Sequence, residues 1–257
     1  IYHIDKRNIT MKDIKSFFRK DSCKICVPLM GKNYDEIMAN LDNIIGKHFD
    51  VLEWRADFYE DVFEIDKLTA IVDEIKDKLR EKPLLFTIRT SVEGGNLTID
   101  VAKYKELLLA VIEKTKADLV DVEYMREKEA SEKIVRKAHS IGKYIIGSYH
   151  DFEKTPDKEE IYNRLLTMKN LGMDISKIAL MPQSKKDVLT LFEATNKINE
   201  DIPDILTVTM SMGQLGAISR IALGKFGSVM TFGAVGQVSA PGQYDADKLY
   251  EILNTIY

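Results

Sequence analysis

In Gly147-Ser148-Tyr149-His150-Asp151-Phe152 a histidine ends an apolar run, and one strand-plus-helix unit later Lys177 heads Ile178-Ala179-Leu180-Met181. An imidazole titrating near neutrality suits proton transfer to and from carbon, and a desolvated amine attacks carbonyls. The pair suggests imine chemistry. Each residue also has an ordinary role: a strand-end histidine bonded to its own loop, or a lysine opening a strand at the solvent end, the reading that fits Lys143. With a period of two, Lys177, Ala179 and Met181 share a strand face, and the small alanine leaves room for the lysine stem. Inside a barrel the amine is expected near Arg89 and other cations, where desolvation and like charge both favour the neutral nucleophile. His3, His48 and His139 fall in the amino-terminal extension, at a strand start and on a helix, and are poor rivals. Lys185 and Lys186, after Pro182, read as an exposed helix start.

Elements that could position such a pair recur along the chain. Short apolar, β-branched runs lie at 24–30, 49–55, 83–90, 118–125, 143–149, 176–182, 205–210 and 228–233. Between them apolar residues return at helical spacing, as in Leu68, Ile71, Val72, Ile75 and Leu79. Gly46, Gly142 and Gly172 stand where helices should stop, and Asp187 and Asp245 near helix starts. Eight such units match a closed (β/α)8 TIM barrel, whose strands read as continuously apolar because both faces are covered. An open doubly wound sheet would favour a Gly-x-Gly-x-x-Gly turn after the first strand, but Met30-Gly31-Lys32-Asn33 has one glycine. Residues 1–23 form a short extension expected to cover the barrel's lower end, and residues 1–257 are expected to make one catalytic domain.

Composition narrows the partners. A chain of 257 residues with 45% hydrophobic residues can bury one large core, and its net charge of −4 comes without a basic cluster for nucleic acid or anionic membrane. No apolar stretch approaches the roughly 20 residues that span a bilayer, and the charged amino end lacks a signal-peptide core, so a cytoplasmic protein acting on small molecules is expected. Cys23 and Cys26 form a C-x-x-C, yet Cys26 lies within a strand-like run and further zinc ligands are lacking, so both read as free, largely buried thiols.

In a barrel, chemistry sits at the carboxyl ends of the strands. The polar residues there are Glu53 and Arg55, Arg89 with Glu93, Asp121 and Glu123, His150, and Ser211. Asp121 and Glu123 taken singly could equally be structural ion pairs. The glycine-rich 211–216 and 232–237 suit anion binding through backbone N–H groups, while Arg220, one or two turns into the following helix, suits a bidentate carboxylate contact. Ser239-Ala240-Pro241-Gly242-Gln243 reads as a mobile loop carrying hydroxyl and amide donors, or as a plain turn.

Taken in order, Glu53-Trp54-Arg55-Ala56-Asp57, Thr87-Ile88-Arg89-Thr90 with Glu93-Gly94-Gly95, Ser148 to Phe152, Lys177 to Pro182, Thr209 to Gly213 with Ser219-Arg220, and Thr231 to Ala234 with Ser239 to Gln243 resemble type I 3-dehydroquinate dehydratase. The resemblance runs from about residue 24 to the carboxyl end, while residues 16–22 lack the family's Gly-rich turn before the first strand. It implies dehydration of 3-dehydroquinate to 3-dehydroshikimate on the shikimate route to aromatic amino acids. It also implies that Lys177 forms the imine, His150 is the general acid and base, and Glu93 orients His150. By the same resemblance Arg220, Ser239 and Gln243 bind the substrate carboxylate, Glu53 and Arg89 hold ring hydroxyls, and Arg55 supports them. Met212, Phe232 and Ala240 would wall the pocket. No metal or organic cofactor and a homodimer are likewise implied. An imine-forming aldolase would instead use the glycine-rich loops for a substrate phosphate, and a non-catalytic barrel would more readily have lost His150 or Lys177.

Overall fold

The computed structural model describes residues 14–236 and 239–257. Eight parallel strands run in chain order: β1 (Lys24–Leu29), β2 (Val51–Arg55), β3 (Leu84–Thr87), β4 (Leu119–Glu123), β5 (Tyr144–Asp151), β6 (Ile175–Leu180), β7 (Thr207–Ser211) and β8 (Met230–Ala234). Each pairs with its sequence neighbour from β1 to β7, and β8 returns to β1. The remaining seam, β7 to β8, is held by a parallel bridge between Thr207 and Ser228, where Val229 N donates to Thr207 O at 2.8 Å. The sheet therefore curls into the expected (β/α)8 barrel. A two-residue strand, β9 (Tyr244–Asp245), adds to β8 and was not legible in the periodicity.

Helices α1 (Ile14–Phe17), α2 (Tyr34–Ile45), α3 (Ile65–Leu79), α4 (Val101–Lys114), α5 (Lys128–Ser140), α6 (Lys158–Asn170), α7 (Lys185–Asp201), α8 (Ser219–Ala222) and α9 (Ala246–Ile256) complete the described chain. Their ends follow capping chemistry. Ser184 and Asp187 form a capping box on α7, and the Asp245 carboxylate accepts the first N–H groups of α9. Gly142 and Gly172 take left-handed φ of 76° and 83° just past α5 and α6, a conformation that costs glycine nothing.

Strand alternation divides the buried residues into two sets. Leu52 and Trp54 of β2 and Val120 and Val122 of β4 face outward onto the helices, joining Leu68, Ile75, Leu108 and Ile112. The other parity faces the barrel axis, and its character changes with height. At the strand starts it is apolar: Val51, Leu85, Leu119, Ile146 and Ile175 form one cluster. Two residues further on, the same faces carry Glu53, Thr87, Asp121, Ser148 and Lys177, all buried. A dry apolar plug thus lies beneath a layer of charge.

Ile14 and Phe18 belong to the lower cluster, so the described part of the extension covers the lower end as expected; residues 1–13, with His3, lie outside the described residues. Cys26 sits in the same cluster and Cys23 is half-buried; both are free, and burial pushes the Cys23 thiol up to about 12 and raises that of Cys26 well above its ordinary value. Phe18→Ala should cost about 3–5 kcal/mol in urea unfolding by opening a cavity in this plug. A loss under about 1 kcal/mol would show that the extension is not part of the core.

Candidate active site

The upper layer is built by register. Ser148 of β5 stands beside Lys177 of β6, and His150 beside Ala179, so these four side chains share the inner face of two adjacent strands. The small Ala179 leaves the space above Lys177 open. Around it lies a cavity of ≈ 500 Å³ whose lining includes all twelve residues to which the family resemblance gave a role: Glu53, Arg55, Arg89, Glu93, His150, Lys177, Met212, Arg220, Phe232, Ser239, Ala240 and Gln243. Lys177 is 3% exposed. The expectation that cations crowd its amine is corrected. Its nearest charges are carboxylates, with Asp121 Oδ2 at 3.5 Å and Glu53 Oε1 at 3.7 Å, and the Phe232 ring centroid is 4.6 Å away. Arg89 stands on the far side of Asp121 and is engaged there.

Arg89 lies two residues past the end of β3 rather than on the strand, and it is fully enclosed. Its guanidinium donates to Asp121 Oδ1 at 2.8 Å, Glu123 Oε1 at 3.1 Å, Ser148 Oγ at 3.0 Å and Glu93 Oε2 at 3.4 Å. Glu123 is occupied further by the Thr90 N–H and hydroxyl, each at 2.7 Å. Asp121 and Glu123 are therefore ion-pair partners behind the cavity and do not line it. Arg55 meets Asp57 through two bonds of 2.8 Å, and Asp57 also accepts from Arg89 N and Asn96 N, tying the ends of β2 and β3 to the loop that carries Glu93.

His150 Nδ1 lies 2.9 Å from Glu93 Oε2, which also accepts the His150 backbone N–H at 3.0 Å. With Nδ1 engaged, Nε2 is the ring nitrogen left for a ligand. Burial is the largest influence on both groups. It drives the imidazole well below its ordinary range, helped by Arg89, Lys177 and Arg55, and raises the Glu93 carboxyl to about 8 against the pull of Arg89. Burial thus disfavours the charged form of both groups.

Opposite, Arg220 is 2% exposed and lowered to about 10 by burial. It falls on the second residue of the four-residue α8, not one or two turns into a helix, because Ser219 Oγ pins that turn to Ser211, accepting its N–H at 2.9 Å. Ser211 is thus an anchor and does not line the cavity. Arg220 meets the Pro241 carbonyl at 3.0 Å and the Met210 sulfur at 3.7 Å; its Nε has no partner, and no salt bridge to it is found among the described residues. Ser239 and Gln243 satisfy each other, through Ser239 N to Gln243 Oε1 at 2.9 Å and Gln243 Nε2 to Ser239 Oγ at 3.0 Å. His48 and His139 pair with Asp247 and Asp174 on the surface, and Lys185 and Lys186 are exposed on α7. Ala179 lines the cavity too, as the small residue expected above Lys177, and so do Gly94, Phe152 and Met210, to which the sequence gave no role. Phe152 and Gly94 go together: Gly94 has φ 77°, and a Cβ there would come within 2.4 Å of the Phe152 ring.

The upper rim of this parallel barrel gathers a buried lysine, a histidine–carboxylate pair and an arginine without an acidic partner among the described residues, the layout of an enzyme's site. The profile described as Type I 3-dehydroquinase matches residues 25–257. The 3-dehydroquinate dehydratase of Bacillus licheniformis is 45% identical over 234 residues, covering 91% of this chain and 92% of its own, and that of Clostridium botulinum is 41% identical over 252 residues, 98% of each. Among solved structures, the type I enzyme of Clostridium difficile superposes with a TM-score of 0.87 at 42% identity, covering 91% of this chain and 92% of its own. The enzyme of Geobacillus kaustophilus gives 0.88 at 33%, covering 91% of each. The chain belongs to the type I 3-dehydroquinase family, which are hydro-lyases. A 3-hexulose-6-phosphate synthase at 15% identity and TM-score 0.58 shares the fold alone.

The raised Glu93 carboxyl has a thermodynamic signature. Its stabilising contribution is complete below the ordinary carboxylate value and is lost as pH rises through about 8. Glu93→Gln removes that loss, so the melting temperature of the variant relative to the parent should rise between about pH 5 and pH 8 and level off above. A difference that is flat across this range would show that Glu93 is ionised throughout.

Proposed function

We propose that this protein dehydrates 3-dehydroquinate to 3-dehydroshikimate, on the shikimate route to aromatic amino acids, through an imine on Lys177. The observation that carries the reading is a buried amine at the floor of the cavity, between the His150–Glu93 pair and the unpaired Arg220. Arg220 supplies the charge for the substrate carboxylate, and Ser239 and Gln243 turn from each other to it. Glu53 and Arg89 hold ring hydroxyls, Arg55 steadies that rim, and Met212, Phe232 and Ala240 wall the ring.

The Lys177 amine adds to the C3 ketone, and loss of water gives the protonated imine. That cation withdraws electrons far more strongly than the ketone, so the neutral His150 can take the C2 proton. The resulting enamine expels the C1 hydroxyl, which leaves as water with the proton from His150. A second water hydrolyses the product imine and frees the amine, so one molecule of water is lost per turnover. Glu93 holds Nδ1 of His150 throughout, keeping Nε2 toward the substrate.

Two features support a carboxylate over a phosphate. The loop after β7 spends three of its backbone donors internally: Ser211 N on Ser219 Oγ, Met212 N on Leu180 O at 2.8 Å and Gly213 N on Pro241 O at 3.2 Å. Arg220 offers a planar guanidinium in that quarter, suited to a carboxylate. A covalent route is supported by the Clostridium difficile relative, whose structure was solved with covalently modified comenic acid.

Borohydride added with 3-dehydroquinate should inactivate the enzyme and leave a reduced adduct on Lys177, located by peptide mass analysis. An adduct on Lys185 or Lys186, or none, would overturn the assignment. His150→Ala should lower kcat by roughly 10²–10⁴-fold with the fold intact by circular dichroism; normal turnover would remove His150 from the mechanism.

A further inference from the structure

We propose that Asp121 holds the imine formed on Lys177 in its protonated, iminium form, and so acts as a positioning residue for the electron sink. The inference rests on the imine reading above and adds a residue that does not touch the cavity.

The geometry assigns Asp121 this place. Its carboxylate is fully buried and divides its two oxygens. Oδ1 accepts from Ser148 Oγ at 2.6 Å and Arg89 Nη2 at 2.8 Å, while Oδ2 faces Lys177 Nζ at 3.5 Å. The first two bonds immobilise the group, leaving the second oxygen fixed toward the nitrogen that changes its bonding during turnover. Burial opposes ionisation of Asp121, but Arg89, Lys177 and the Ser148 hydroxyl outweigh it and hold the carboxyl below its ordinary range. A permanently charged partner therefore stands behind the amine.

Every element packed around Lys177 bears on its charge. From β1 comes Cys26, whose thiol burial keeps neutral; from β2 come Glu53, at 3.7 Å, and Arg55. The end of β3 supplies Arg89, whose charge is met by Asp121, Glu123 and Glu93. β5 supplies the neutral His150 and Ser148, β7 the thioether of Met210, and β8 the face of Phe232, which also favours a cation. Glu53 lies at the cavity wall where a ligand can engage it, whereas Asp121 lies behind the amine and remains available to it at every step. An unprotonated imine is a poor electron sink, so a fixed anion at this position sustains the acidity of the C2 proton.

Asp121→Asn keeps the shape and the hydrogen bonds to Ser148 and Arg89 while removing the charge. The alkaline limb of its kcat profile should move to lower pH by about one unit or more, since loss of an opposite charge releases the nitrogen's proton earlier. At neutral pH kcat should fall roughly tenfold or more, with KM within about threefold because Asp121 does not line the cavity. A merely structural role would lower kcat without moving the limb, and that result overturns the inference. Should the Asn variant show no cooperative melt, Asp121→Ser, smaller and still polar, supplies the same profile. Borohydride trapping on the parent protein separates the two failures. No adduct on Lys177 defeats the imine reading itself, whereas an adduct in the parent with an unmoved limb in the variant defeats the role of Asp121 alone.

Discussion

The upper half of this barrel depends on the burial of one guanidinium. Arg89 reaches both carboxylates of β4, the hydroxyl of Ser148 on β5 and, in its own loop, Glu93. An unpaired charge in such a place would cost several kcal/mol, and so would each carboxylate left without it. Charge balance and barrel geometry are therefore the same constraint. The three acids can be buried together only where Arg89 sits, and Arg89 can be buried only where β3, β4 and β5 bring them. Glu93 lies furthest from it, at 3.4 Å against 2.8 Å for Asp121; burial raises the Glu93 carboxyl against the pull of Arg89, and the same carboxylate is the partner of His150.

That arrangement is held from below and from the side. The apolar cluster from Phe18 to Ile175 keeps water from the strand starts, so the charges above it are screened little and act at full strength on one another. Asp57 clamps the ends of β2 and β3 by accepting from Arg55, Arg89 N and Asn96 N. It thereby fixes the height of Arg89 through the backbone while the carboxylates fix its side chain. The glycine at 94 then lets Phe152 close over the Glu93 loop, shielding the histidine pair.

Much of this was legible because strand periodicity reports directly on which side chains face the axis. The eight runs, the paired positions of His150 and Lys177, and the order of the motifs followed from the chain itself. Period two says nothing about what lies across a barrel, however. The surroundings of Lys177 were expected to be cationic and are acidic, because the partner of a buried amine is set by the distance between β6 and β4, which local pattern does not encode. Ser219, Asp57 and Phe152 were passed over for the same reason, since each acts through a contact to another strand end. The short α8 and the two-residue β9 fall below the length at which any periodicity can be seen.

The charges that remain divide the site into two parts with different tasks. Around Lys177 the carboxylates of Asp121 and Glu53 are fixed in advance, so the positive charge that the proposed iminium brings meets an environment that need not reorganise. Around Arg220 nothing acidic among the described residues matches the charge, burial has already weakened its hold on its proton, and its present partners are a carbonyl and a thioether. A ligand anion is what completes the balance there. On the proposed function, one molecule meets both parts at once, its carboxylate at Arg220 and its ketone at Lys177, and both residues line the same cavity.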